Sequence, residues 1–184
     1  MINWVKINVI TMVSFFVFFL INQSVFTIFS VSENISWIFL PAGLRLFFIL
    51  VYRHRALVGL FLGSLLASVY LNHEPLSPFT LLLALASTLN PLIALYAVEK
   101  WSSQFSLTLG NLELGAIISL AILQAFFCTT LHHLIFLSFS KTLQENFLGD
   151  ILAMFFGDLF GILFMMGLLT LGLKLILKSF KPTR

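Results

Sequence analysis

Residues 7–32 read INVITMVSFFVFFLINQSVFTIFSVS, and no Asp, Glu, Lys or Arg interrupts them. A helix needs about 20 mainly apolar residues to cross about 30 Å of hydrocarbon, so this stretch is long enough to span a bilayer. Three more charge-free runs follow at 56–73, 75–98 and 114–140. Two further apolar stretches carry isolated charges: 37–52 holds Arg45, and 147–177 holds Asp150, Asp158 and Lys174. Backbone groups in lipid must be satisfied internally, which leaves helices or closed barrels. Strict two-residue alternation is absent, so the sequence predicts an all-α, polytopic membrane bundle of about six transmembrane helices.

Composition agrees. The 184 residues are 60% apolar and 9% charged, against roughly 45–50% and about 25% in an average globular chain. A soluble domain is excluded, and the lipid bilayer is the first partner. No linker or polar block divides the chain, so residues 1–184 read as a single domain. The first run exceeds the core of a signal peptide, about 7–15 residues, and no small-x-small pattern follows, so it reads as a retained helix.

Charge gives orientation. Lys6, Arg53, Arg55, Lys100, Lys178, Lys181 and Arg184 fall on one side of a six-span layout, while Glu33, His73, Glu74, Lys141 and Glu145 fall on the other. Excess Lys and Arg mark the inside, which predicts both termini in the cytoplasm. The net charge of +3 reflects these inner loops. Trp4, Trp37, Trp101 and Tyr52 lie near predicted helix ends, where amphipathic rings favour the interface.

Gly59, Gly63 and Ala67, and again Gly149, Ala153, Gly157 and Gly161, recur at four-residue spacing. Small residues let helix backbones approach; they read first as packing within the bundle, with a homo-oligomer face as the alternative. Pro41 is placed one turn into the second helix and Pro91 in the middle of the fourth, directly after Asn90. Each proline removes a donor and frees carbonyls that a neighbour, water or ligand must satisfy.

Charges inside a span are costly and are functional candidates by default. Arg45 lies about 15 Å, and Asp158 about 11 Å, below the same end at 1.5 Å per residue. The two are therefore expected to pair, since a guanidinium matches a carboxylate; Asp150 is the alternative partner, nearer the surface. A buried pair either locks two helices or lines a pocket for a polar or anionic ligand, and both readings stay open. Asn90 and Gln124 join the candidate polar cluster. Cys128 and His132 share a face at i, i+4 spacing, but one Cys and one His supply neither a metal set nor a complete nucleophilic site. The chain is therefore expected to be no enzyme and to hold no metal or cofactor. It carries no nucleic-acid module, and the lone Cys128 cannot form an internal disulfide.

These residues bring a resemblance into view. Trp37-Ile-Phe-Leu-Pro41-Ala42-Gly43, followed by Arg53, Gly59 and Gly63, resembles the Trp-x-Pro-Ala-Gly segment and glycine-rich helix of the membrane-associated sensor domains of the first type, the MASE family. Residues 87–91 to Lys100 are similar to that family's Asn-centred helix, and Gly157-Asp158-Leu159-Phe160-Gly161 is similar to its Gly-Asp-x-x-Gly signature. The resemblance implies a bacterial inner-membrane sensory module, normally fused to a kinase or cyclase output domain. With the sequence ending at Arg184, and about six spans in place of about eight, signalling is expected through a membrane or signalling protein partner. The competing expectation is a small transporter subunit that binds a polar or anionic molecule within the membrane.

Overall fold

The computed structural model describes residues 3–26, 28, 30–32, 35–102, 107, 113–139 and 147–179. Six helices carry the fold: α1 (Trp4–Val25), α2 (Leu40–Tyr52), α3 (Leu57–Tyr70), α4 (Pro78–Ser102), α5 (Leu114–Ser138) and α6 (Phe147–Ser179). A two-stranded antiparallel ribbon, β1 (Ser30–Ser32) and β2 (Ile35–Ser36), precedes α2. It replaces the end of the predicted first span, which stops at Val25. The β-branched and aromatic sequence after Val25 favours extended chain over helix. Glu33 lies outside the described residues, as do Lys141, Glu145, Lys181 and Arg184.

The expectation of six spans needs correction. Among the described residues five segments are long and apolar enough to cross a membrane: Trp4–Val25, Leu40–Tyr70, Pro78–Trp101, Leu114–Ser138 and Phe147–Leu169. The predicted second and third spans share one of these. Their helices have 13 and 14 residues, about 20 Å each at 1.5 Å per residue, which is short of the hydrocarbon thickness. Between them runs a 3₁₀ turn at Arg53–Ala56, and Arg53 enters it with φ 52°.

Contacts give the direction of each piece. Asn8 meets Gly59, Phe15 meets Gly63, and Gln23 reaches Leu71 and Asn72, so α3 runs parallel to α1. Leu40 N–H donates to Asn22 Oδ1 and Phe19 packs on Phe39, so α2 runs the opposite way. The Arg53 turn therefore reverses the chain. Arg53 is held there by both carboxylate oxygens of Glu99 and by the Leu107 carbonyl at 3.2 Å, while Leu107 N–H returns a 2.7 Å bond to Glu99. This clamp fastens the turn to the end of α4.

The small-residue stripes pack within the bundle. A Cβ at Gly59 would strike the Asn8 backbone, and one at Gly63 would crowd Phe15. On α6, Gly157 lies under the Ser36 carbonyl and Gly161 under that of Phe39; Gly43 of α2 faces Gly161 and Met165. Pro41 is not an interior kink. Helix α2 begins at Leu40, so Pro41 occupies its first turn, where a missing N–H costs nothing.

One local device illustrates how polar residues are used. Gly59 N–H lies in the first turn of α3 and has no intrahelical acceptor; Asn8 Oδ1 accepts it at 2.7 Å, while Asn8 Nδ2 donates to the Trp4 carbonyl at 2.9 Å. Asn8→Ala is expected to lower unfolding stability by about 1–2 kcal/mol, the cost of a buried donor left unmade. Equilibrium unfolding in mixed micelles checks this, and an unchanged midpoint contradicts it.

Candidate functional site

Pro91 lies inside α4 and has no N–H to give the carbonyl four residues earlier, that of Ser87. Arg45 satisfies that carbonyl: its Nη1 donates to Ser87 O at 3.1 Å. The guanidinium also lies over the rings of Phe15 and Phe39, at 5.9 and 5.4 Å from their centroids, within cation–π range. Nη2 stands 3.9 Å from Asp158 Oδ1. Attraction across that gap is strong in a low-dielectric setting, but the distance exceeds that of a charge-assisted hydrogen bond, about 2.7–2.9 Å. Both side chains are 3% exposed. The expected pairing of Arg45 with Asp158 is thus present as a buried, loosely closed ion pair between α2 and α6.

His132 and Cys128 come to the same place. His132 Nδ1 is 2.8 Å from the Cys128 carbonyl, which can only accept, so Nδ1 carries the proton. Nε2 shares a hydrogen bond with the Ser87 hydroxyl at 3.0 Å, a group that can donate or accept. The Cys128 thiol is 3.5 Å from Nδ1, the protonated nitrogen, which cannot take a proton from it.

These groups form the floor of a cavity of about 100 Å³ that Arg45, Ser87, Cys128, His132 and Asp158 all line. Its mouth lies at the other end of α1 and α3, where Gln23 and Asn72 line it and bond one another. Toward the opposite face the bundle is closed by Leu46, Ile49, Leu60, Leu95, Ile162 and Met166, all fully buried, and beyond them by the Arg53–Glu99 clamp. The cavity therefore opens toward one end of the bundle.

The other sequence candidates are placed differently. Asn90 is fully buried and neither side-chain amide atom has a partner, yet it does not line the cavity. Gln124 donates to the Ala42 carbonyl at 2.8 Å and ties α5 to α2. Asp150 stands in the first turn of α6, where a carboxylate suits the helix dipole, and is not Arg45's partner. Trp37 is 43% exposed just before α2, whereas Pro41, Gly43, Gly157 and Gly161 shape the α2–α6 seam. Ser87 was missed, although counting four residues back from Pro91 finds it. Glu99, which holds Arg53, was also missed. Among the described residues no group of three or more His, Cys, Asp or Glu could hold a metal ion.

No protein-family model matches the chain, and no curated protein or solved structure matches it.

Proposed function

We propose that this protein is a non-catalytic receptor module of the bacterial inner membrane, which binds a small polar ligand in its cavity and passes a displacement of α6 to a partner protein. The supporting observation is the placement of Asp158. It stands on the cavity floor, on a helix that runs 21 residues further, to Ser179. At 1.5 Å per residue that length is about 32 Å. A ligand that alters the Arg45–Asp158 contact acts on α6 directly, and the far end of α6 carries the change away from the cavity. The resemblance to membrane-associated sensor domains supports the same reading.

In this proposal the short α2 and α3 make one antiparallel hairpin within the bundle. The start of α1 and the end of α6 then share the cytoplasmic face, with Arg53, Arg55 and Lys100, and the cavity opens to the outside. A transporter subunit is the second reading, favoured by the proline-interrupted α4 with a cation at its freed carbonyl. A thermal-shift panel of small polar compounds on purified protein, followed by vesicle uptake of any compound that binds, separates the two. The receptor reading expects a stabilising compound that does not accumulate in vesicles. Accumulation abolished by Arg45→Met/Asp158→Ala would establish transport in its place.

A further inference from the structure

We propose that the ligand is a small zwitterion of the α-amino-acid type, its carboxylate taken by Arg45 and its ammonium by Asp158. This rests on the receptor reading above and adds the ligand's chemical class.

Charge on the floor is balanced. Arg45 and Asp158 supply one basic and one acidic side chain to it, and His132 Nδ1 is turned to the Cys128 carbonyl. A lone anion drawn to Arg45 meets Asp158, and a lone cation drawn to Asp158 meets Arg45. A molecule carrying both charges satisfies both. The polar atoms left over point the same way, since Arg45 Nε is a donor without an acceptor and Asp158 Oδ2 an acceptor without a donor. Arg45 is kept from closing on Asp158 by the Ser87 carbonyl and the rings of Phe15 and Phe39, so the 3.9 Å gap is set by the surrounding helices.

Size narrows the class. A dry cavity of about 150 Å³ accepts benzene, with its six carbons; the 100 Å³ here suits about four heavy atoms by the same scale. Glycine, the smallest α-amino acid, has five, one more than the closed cavity holds. The lining also includes Ile35, Leu83 and Met154, which favour a ligand with no side chain. Arg45 Nε and Asp158 Oδ2 are both closed to solvent as the pair stands. Ligand entry must therefore part Arg45 from Asp158, which is the displacement of α6 that signalling requires.

Cys128 lines the same floor and is the chain's only cysteine, so its modification reports occupancy. The experiment uses the full chain in lipid nanodiscs and follows the rate at which a small neutral methanethiosulfonate modifies Cys128. Glycine, acetate and methylammonium are tested at matched concentrations. Glycine is expected to slow modification about tenfold when present at roughly ten times its dissociation constant, while acetate and methylammonium leave the rate within about twofold. In Asp158→Asn, which keeps the side-chain volume, acetate becomes the better protector. If acetate protects the unmodified protein as well as glycine does, the ligand is an anion and the zwitterion is wrong. Failure of all three to slow a thiol that does react also sinks the zwitterion, yet leaves an open receptor cavity. A thiol that reacts only after unfolding removes the receptor reading itself.

Discussion

Gly161→Ala is expected to cost about 3 kcal/mol of stability, at the upper end of what overpacking a close-fitted site does. A Cβ there would fall onto the Phe39 carbonyl oxygen, 2.5 Å from its carbon and 3.1 Å from Leu40 N. All three atoms are backbone, so no rotamer change relieves the clash, and the whole start of α2 must lift from α6. Phe39 N–H bonds the Gly157 carbonyl at 3.1 Å, which pins the two segments together and leaves little room to shift. Gly167→Ala on the same helix is the control: nothing lies within 4 Å of its added Cβ. Its effect is expected within about 0.5 kcal/mol. Unfolding midpoints of the two variants in mixed micelles provide the comparison, and equal midpoints would mean that α2 and α6 do not meet through these glycines.

Removing one member of the central ion pair is expected to cost as much or more. Asp158→Ala leaves Arg45, 2% exposed, without its counter-charge, and breaking one side of a buried pair costs about 3–5 kcal/mol. Arg45→Ala leaves Asp158 in the same position and also strands the Ser87 carbonyl that Pro91 cannot serve. Replacing both residues by apolar ones is a different matter, because neither charge then has to be desolvated. Arg45→Met/Asp158→Ala is therefore expected to unfold later than Asp158→Ala, recovering about 2 kcal/mol, while losing any ligand that the pair holds. If the double variant loses as much stability, relative to the unmodified protein, as the two single variants together, the two residues act independently.

The pairing of Arg45 with Asp158 was legible because charge is so scarce in this sequence: two buried ionisable residues at similar depths have few alternatives. The role of Pro91 was half legible. A freed carbonyl followed from the missing N–H, but that Arg45 would answer it depended on α2 and α4 being neighbours, and single-helix periodicity carries no neighbour relation. Asn90 looked like the functional group at that kink and instead is fully buried without lining the cavity; Ser87, three residues earlier, lies on nearly the same face, so spacing along α4 did not separate the two. The Arg53–Glu99 clamp escaped for the same reason: its partners are 46 residues apart, and Arg53 by itself reads as an ordinary inner-loop cation.

The helices were legible in number, their lengths less so. Hydropathy measures how apolar a stretch is, not where the chain turns. It extended the first helix to Ser32 over a segment that forms β1, and it drew α2 and α3 as full spans although they have 13 and 14 residues. The glycine stripes told of close approach without naming the partner. Gly59 and Gly63 meet α1, whereas Gly157 and Gly161 receive the backbone that leads into α2.

The most direct measurement is the sidedness of Cys128 modification. In oriented vesicles bearing the full chain, an impermeant sulfonatoethyl methanethiosulfonate is applied to one face at a time. Predicted is reaction from the face that carries His73 and no reaction from the face that carries His54, because Leu46, Ile49, Leu60 and Leu95 seal the floor on that side. Equal rates from both faces, or reaction from the His54 face alone, would contradict a cavity open only to the outside.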